Sequence, residues 1–211
     1  MNTRTKTLLT LAILFSVSLV VSNIIAGKLI TLGGVILPAA VFLFPIVYII
    51  GDVIPEVFGL ETARKIILLG FFGNLLAVGF FILTIYLPYP PFWEGQEAFK
   101  TVLGLTPRLA LASFIGYLLG TNANALVLTL IKKITGEKWL WVRTIGSTLV
   151  GEYLDSLLFI GIAFFGIMPT GDLWGLILAQ GTFKVAYEIL ATPLTYVVVN
   201  NIKKAVKANN S

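Results

Sequence analysis

The stretch KIILLGFFGNLLAVGFFILTIY, residues 65–86, is apolar along nearly its whole length and carries a single charge, on Lys65 at its start. The hydrocarbon core of a bilayer is about 30 Å thick, and an α-helix needs about 20 apolar residues to cross it. Residues 65–86 are long enough and apolar enough to do so. The stretch therefore predicts a helix that spans a membrane.

Segments on both sides of this stretch have the same character. Hydrophobic residues make up 57% of the 211 residues and charged residues only 12%, about half of the usual share in a soluble domain. A soluble chain of this size could not bury so much apolar surface. We therefore predict an all-α membrane protein with a single domain over residues 1–211 and six transmembrane helices. The predicted helices are residues 7–26, 35–54, 65–86, 107–131, 139–165 and 173–199.

Prolines and one long loop refine this plan. Pro45 and Pro193 fall inside predicted helices and are expected to kink them. The loop 87–105 is the long connection of the chain, and its residues 93–103 mix aromatic and charged side chains. A short helix that lies in the outer interface of the bilayer is expected there.

The basic residues predict the orientation. Most Lys and Arg residues fall on one side of the predicted bundle, whereas the other side has Lys28, Lys100 and Arg108. Because positively charged loops stay in the cytoplasm, both termini are predicted to be cytoplasmic. The first apolar run is longer than the apolar region of a signal peptide, so we interpret it as a retained helix. We expect the chain in the plasma (inner) membrane of a prokaryotic cell.

The composition excludes several kinds of chemistry. The chain has no Cys and no His, which excludes thiolate nucleophiles, Ser-His-Asp triads, histidine proton relays and Cys/His metal sites. A site of carboxylates alone for a hard cation stays open. We expect no cofactor and no enzymatic activity. The net charge of +5 fits the positive-inside rule, and the basic residues form no patch for binding nucleic acid.

Two carboxylates lie on one face of the fifth predicted helix. Thr148, Glu152 and Asp155 are spaced i, i+4, i+7, which places them on one stripe. An ionisable group at membrane depth costs about 2.5 kcal/mol or more, so it marks a functional site by default. Two carboxylates one turn apart repel each other. Either one is protonated, or a cation or hydrogen-bond donor lies between them, or the pair is bridged to Lys or Arg of another helix.

The sixth predicted helix carries Gln180, Lys184 and Glu188 at four-residue steps. Its lysine lies near the middle of the bilayer. One interpretation is an ion pair between Lys184 and Glu188 within the helix. The other is that Lys184 balances Glu152 or Asp155 across the bundle, or binds a substrate. The sequence leaves both interpretations open.

Polar side chains on other helices complete a predicted cavity. Asn23 lies on the first helix, Tyr48 on the second, and Tyr117 and Asn124 on the fourth. A bundle with polar faces inside and apolar faces outside is suited to hold a small solute, which predicts a transporter. A second group of residues is predicted to form ion pairs or a gate, namely Asp52, Glu56, Arg64, Arg108, Arg143 and Glu188. We expect Glu56 and Asp52 to lie near the basic residues 64, 65 and 143.

An ordered set of short motifs runs along nearly the whole chain. Its members are Ser22-Asn23 with Lys28, then GDVIPEVFG at residues 51–59 with Ala63-Arg64, then Arg108 with Ala112-Ser113, then Arg143 with Ser147-Thr148, Gly151-Glu152 and Asp155-Ser156, and finally Lys184 with Pro193. Taken together, these motifs resemble the queuosine precursor transporters, also called the vitamin uptake transporter family.

The resemblance implies uptake of 7-deazaguanine bases, the precursors of the modified tRNA base queuosine. It also implies a fold related to the substrate-binding subunits of energy-coupling-factor vitamin transporters. For such a substrate, Glu152 or Asp155 would accept the N–H and amino groups on one edge of a guanine-like base. Further hydrogen bonds and aromatic faces are expected from Asn23, Asn124 and Lys184 and from Tyr48, Tyr117 and Phe159.

Three other functions compete with this one. A substrate-binding subunit of an energy-coupling-factor transporter would need an ATPase module, which is not favoured because Ala12 and Ser16 form a single small-xxx-small pair for docking it. A membrane enzyme acting on lipid would need a carboxylate–metal set, and the acidic residues lack a repeated DxxxD spacing. A structural scaffold would leave the buried charges without a role. The energy source and the oligomeric state stay open.

Overall fold

The fold was obtained as a computed structural model, which describes residues 2–135 and 140–208 except for the side chains of residues 140–144 and 206–208. The helices are α1 (Thr3–Ile25), α2 (Phe44–Phe58), α3 (Leu60–Tyr86), α4 (Gln96–Leu103), α5 (Thr106–Thr135), α6 (Leu140–Phe164) and α7 (Thr170–Ala208). Two strands, β1 (Leu29–Leu32) and β2 (Val35–Pro38), and a 3-10 helix, Ala39–Phe42, come between α1 and α2 in the sequence.

The chain is mostly helical, in agreement with the predicted class of all-α membrane protein. Within the described ranges, five helical stretches are long and apolar enough to cross a membrane. They are α1, α3, α4 together with α5, α6 and α7. Helix α2 is not among them, because its 15 residues rise only about 22 Å at 1.5 Å per residue.

The prediction of a helix over residues 35–54 is wrong in its first part. There β1 and β2 pair as an antiparallel hairpin, and α2 begins only at Phe44. Gly33 and Gly34 form the turn with φ angles of 57° and 84°. Glycine adopts positive φ without steric cost, and two such residues suit a tight hairpin turn. The apolar side chains of this region therefore belong to a hairpin and not to a long helix.

The predicted kink at Pro45 is also wrong. Pro45 lies in the first turn of α2. Backbone N–H groups there have no acceptor within the helix, so a proline at this position does not disturb the helix. Pro55 is the proline inside α2. Pro193 lies inside α7, as the sequence predicts.

The other five predicted helices coincide with α1, α3, α5, α6 and α7, with different ends. Helix α3 begins at Leu60 instead of residue 65, and α7 continues to Ala208 instead of ending at residue 199. A helix can continue past the apolar segment because its backbone hydrogen bonds are all internal. The short helix expected at residues 93–103 is α4, and Gln96 Nε2 donates to the carbonyl of Ile85 at the end of α3 at 2.8 Å.

Contacts within the chain define two compact units. The first contains α1, α2, α3, α4 and the C-terminal part of α7. Its core forms where the first three helices pack together, around Phe15, Leu19, Ile50 and Ile54. Gly70 of α3 faces α1, and a Cβ atom added there would lie 2.9 Å from Leu19 Cδ1. Gly70 therefore allows the close approach of α1 and α3.

The second unit contains the β1–β2 hairpin, α5, α6 and the N-terminal part of α7. Helices α5 and α6 meet at glycines, because a Cβ atom on Gly151 of α6 would lie 3.0 Å from the carbonyl oxygen of Gly120 on α5. Small residues let the backbones of membrane helices approach each other. This contact positions the face of α6 that carries Glu152 and Asp155 relative to α5.

Candidate functional site

An ion-pair cluster joins α6 and α7 in the second unit. The ammonium group of Lys184 pairs with the carboxylate of Asp155 and lies 3.5 Å from Glu152 Oε2. The three side chains are largely buried, with exposed fractions of 7% for Lys184, 20% for Glu152 and 17% for Asp155. Of the interpretations open for Lys184, the structure thus shows the contact across two helices.

The charges of the cluster do not cancel. Two carboxylates and one ammonium group leave a formal charge of −1 when all three are ionised. The shared Lys184 reduces the repulsion between the carboxylates, and breaking such a buried set would leave an uncompensated charge. An anionic, buried cluster is suited to a solute that is cationic or that donates hydrogen bonds. Within the described residues, no group of three or more acidic side chains is placed to hold a metal ion.

Helix α5 forms the wall behind Asp155. A Cβ atom on Gly116 would lie 2.6 Å from Asp155 Oδ1, and one on Gly120 would lie 2.8 Å from Asp155 Cβ. Asn124 is the next residue on this stripe of α5, and its Cβ lies 2.8 Å from the position of a Cβ on Gly151. Gly116 and Gly120 therefore leave room for Asp155 against α5. Asn124 lies beside Gly151, the residue that precedes Glu152.

Tyr153 ties α6 to α7 next to the cluster. Its hydroxyl shares a hydrogen bond of 2.7 Å with Thr182 Oγ1. Its ring packs on Gly181, where a Cβ atom would lie 2.8 Å from Tyr153 Cδ1. Tyr153 and Thr182 are absent from the residues predicted from the sequence. A glycine in the polar part of α7 is the signal that could have pointed to this contact.

Four buried polar atoms have no hydrogen-bond partner in the part of the chain that the structure describes. They are Asn124 Oδ1, Ser156 Oγ and Gln180 Oε1 in the second unit and Asn23 Nδ2 in the first. A buried polar atom without a partner costs about 1–3 kcal/mol, so each is a candidate for binding water or a solute. Asn23 and Asn124 belong to the predicted substrate-binding residues, whereas Ser156 and Gln180 do not.

Tyr117 lies on α5, which packs behind the cluster, and Glu188 lies on α7, the helix that carries Lys184. Tyr117 follows Gly116 on α5, is 38% exposed and hydrogen-bonds with Thr121 one turn further along. Glu188 lies one turn after Lys184, in the part of α7 that belongs to the first unit.

The other predicted substrate-binding residues of the first unit lie on α1 and α2. Asn23 is buried near the C-terminal end of α1. Tyr48 of α2 stacks on Tyr187 of α7, with ring centroids 6.2 Å apart and an angle of 29° between the planes. Asp52 follows one turn after Tyr48. An aromatic stack and a carboxylate therefore share one face of α2.

The ion pair at the end of α2 has a partner that was not predicted. Glu56 pairs with Lys203 of α7, whereas the sequence suggested residues 64, 65 or 143. Lys65 pairs with Glu61 at 2.8 Å, four residues earlier in α3. The reason is the length of α7, which continues far enough to bring Lys203 to α2.

The three predicted gate arginines lie in different surroundings. Arg108 donates from Nε to the carbonyl of Ile162 at 2.5 Å and from Nη2 to the carbonyl of Phe165 at 2.6 Å. Carbonyls at the C-terminal end of a helix lack partners within it, so Arg108 completes the hydrogen bonding of the end of α6. Arg64 lies near the start of α3. The side chain of Arg143 is outside the described residues.

The range that holds the ion-pair cluster matches a known family. A family described as "Putative vitamin uptake transporter" matches residues 38–198 of the chain. That range covers more than half of the chain and contains Glu152, Asp155 and Lys184. The chain belongs to this family. As a vitamin uptake transporter family member with several apolar helices, it is a multi-pass membrane transporter.

Curated relatives of this family member carry more specific names. The "Probable queuosine precursor transporter" of Bacillus subtilis (strain 168) is 29% identical over 180 residues, which cover 84% of the chain and 78% of the relative. The "Queuosine precursor transporter" of Escherichia coli (strain K12) is 31% identical over 123 residues, which cover 58% of the chain and 53% of the relative. No solved structure matches the chain.

Proposed function

We propose that this member of the vitamin uptake transporter family imports queuosine precursors, which are 7-deazaguanine bases, across the plasma (inner) membrane of a prokaryotic cell. The names of two relatives support the substrate class. The observation that carries the proposed chemistry is the buried cluster of Lys184, Glu152 and Asp155. Its net negative charge suits a base that donates hydrogen bonds.

The edge of a guanine-like base presents a ring N–H and an amino group side by side. A carboxylate accepts both of these hydrogen bonds at once. The ammonium of Lys184 pairs with both carboxylates, with Asp155 and with Glu152 Oε2 at 3.5 Å. Asp155 also packs against Gly116 and Gly120 of α5, so we assign Asp155 to hold Lys184 and Glu152 to accept the base edge.

The other substrate-binding residues complete this assignment. On α5, Asn124 offers an unpartnered carbonyl oxygen, and Tyr117 offers an aromatic face for a flat ring. Asn23 and Tyr48 stay predicted substrate-binding residues of the first unit. The proposed ion-pair or gate residues are Asp52, Glu56, Arg64, Arg108, Arg143 and Glu188, with Lys203 added as the partner of Glu56.

The proposed topology is a single domain over residues 1–211 with six crossings, of which α2 is the second, and with both termini in the cytoplasm. The distribution of Lys and Arg supports this orientation. A fold related to the substrate-binding subunits of energy-coupling-factor transporters belongs to the same proposal. The partners are then the base and the lipid bilayer, and transport leaves the base chemically unchanged.

Uptake by the purified chain in liposomes tests the proposal. We expect saturable accumulation of a radiolabelled 7-deazaguanine base that is recovered unmodified from the vesicles. Glu152→Gln should lower uptake about tenfold or more, because a hydrogen bond to a charged group contributes about 1.5–3 kcal/mol. Glu61→Gln is the matched control, since this glutamate is 85% exposed in its side chain, and it should transport normally.

Each outcome has a distinct meaning. Saturable binding without uptake by the chain alone would favour the alternative function, a substrate-binding subunit that needs an ATPase module. No binding by correctly folded protein would refute the proposed substrate class. Equal uptake by Glu152→Gln and the wild-type protein would remove the assigned role of Glu152.

A further inference from the structure

Two of the unpartnered atoms, Ser156 Oγ and Gln180 Oε1, belong to side chains that are almost completely buried. Ser156 is 0% exposed and Gln180 is 1% exposed, and neither oxygen has a hydrogen-bond partner among the described residues. Burial of such atoms is unfavourable unless something else binds them. Neither residue takes part in the ion-pair cluster, so the cluster does not explain them.

The two side chains extend the cluster by one helical turn. Ser156 comes one turn after Glu152 on α6, and Gln180 comes one turn before Lys184 on α7. The two helices are joined by the short segment 165–169, so they form an antiparallel helical hairpin. In an antiparallel pair, moving one turn forward on one helix and one turn back on the other leads to the same level. Ser156 and Gln180 therefore lie level with each other, next to the contact of Glu152 with Lys184.

We propose that Ser156 and Gln180 form a second hydrogen-bonding subsite, which binds an N–H group on the edge of the base opposite to the one bound by Glu152. This inference rests on the proposed function. An amide carbonyl accepts a hydrogen bond, and a hydroxyl can accept one as well, so the subsite requires a donor from the ligand. One helical turn is about 5.4 Å along the axis, which is similar to the width of a fused two-ring base. The pyrrole N–H of a 7-deazaguanine base is the donor on that edge.

A pair of ligands isolates this hydrogen bond. The first ligand is 7-deazaguanine, and the second is its furano analogue, in which an oxygen atom replaces the pyrrole N–H while the guanine edge and the shape stay the same. Equilibrium binding of both to the purified full chain in nanodiscs gives a ratio of dissociation constants. The wild-type protein should prefer 7-deazaguanine about tenfold, because the analogue leaves the buried acceptors unpaired.

The variants Gln180→Leu and Ser156→Ala should each bring this ratio close to one. Their effect should come from weaker binding of 7-deazaguanine, with little change for the analogue. Ser18→Ala is the matched control, because Ser18 is a buried serine of α1 with 7% exposure, and it should keep the wild-type ratio. The melting temperature of the ligand-free variants should not fall, because Ser156 Oγ and Gln180 Oε1 have no hydrogen-bond partner among the described residues.

The outcomes separate this inference from the proposed function. If the wild-type protein binds both ligands equally, or if both variants keep the wild-type ratio, the subsite is refuted while the proposed function stands. If ligand-free Gln180→Leu melts lower and keeps its preference, Gln180 has a structural role and the subsite is refuted as well. If the wild-type protein binds neither ligand, both the proposed function and the subsite are refuted.

Discussion

Replacing Gly120 by alanine tests the packing that positions the ion-pair cluster. A methyl group at this position would lie 2.8 Å from Asp155 Cβ and 2.8 Å from the carbonyl oxygen of Gly151. Neither atom can rotate away, because one belongs to the backbone and the other is the first carbon of a side chain. Helices α5 and α6 must therefore separate in Gly120→Ala, which would displace Asp155 from Lys184.

The size of the effect follows from two opposing contributions. Overpacking of this kind costs about 1–3 kcal/mol, whereas alanine is favoured over glycine in a helix by up to about 1 kcal/mol. The matched control is Gly161→Ala in α6, where a Cβ atom would meet no neighbour within 4 Å. The difference between the two variants is then the overpacking contribution alone. At about 2–4 °C per kcal/mol for a chain of this length, Gly120→Ala should melt about 2–12 °C below Gly161→Ala.

Thermal unfolding of both variants in detergent micelles, followed by tryptophan fluorescence, measures this difference. Binding of a 7-deazaguanine base by the same samples reports on the displacement of Asp155, and Gly120→Ala should bind more weakly. Equal melting temperatures, or a higher one for Gly120→Ala, would show that α5 and α6 do not meet at Gly120. That result would refute the placement of Asp155 against α5.

Three further variants test single contacts by the same thermal assay. Lys184→Met should destabilise the protein by about 3–5 kcal/mol, because it leaves two buried carboxylates without their shared cation; adding Asp155→Asn should restore part of this loss, and no restoration would contradict the pairing. Arg108→Lys should cost about 1–3 kcal/mol, because an ammonium group does not reproduce the two hydrogen bonds of the guanidinium; unchanged melting would argue against them. Lys203→Ala should cost less than about 1 kcal/mol, because its pair with Glu56 is half exposed; a larger loss at high salt would show another role.

Local sequence predicted most of the helices because the bilayer imposes a simple rule. A run of about 20 apolar residues must be helical there, since every backbone N–H and C=O has to be bonded within the segment. Residues 65–86 follow this rule, and α3 ends at Tyr86. Residues 35–54 do not follow this rule, because the first of these apolar residues form a strand of the β1–β2 hairpin. The Gly33-Gly34 turn was the local signal for that hairpin.

The sequence by itself determined the membrane class, because its apolar runs are long enough to cross a bilayer. It also determined that Glu152 and Asp155 share one face of a helix and that Lys184 lies on a polar stripe of another, since helical periodicity places residues three or four apart on one face. Only the tertiary structure decided which stripes meet. It brought Lys184 to Asp155 on another helix, and it gave Glu56 the partner Lys203. These pairings depend on how closely helices approach, which glycines such as Gly120 control through contacts far apart in the chain. Periodicity within one segment carries no information about such contacts.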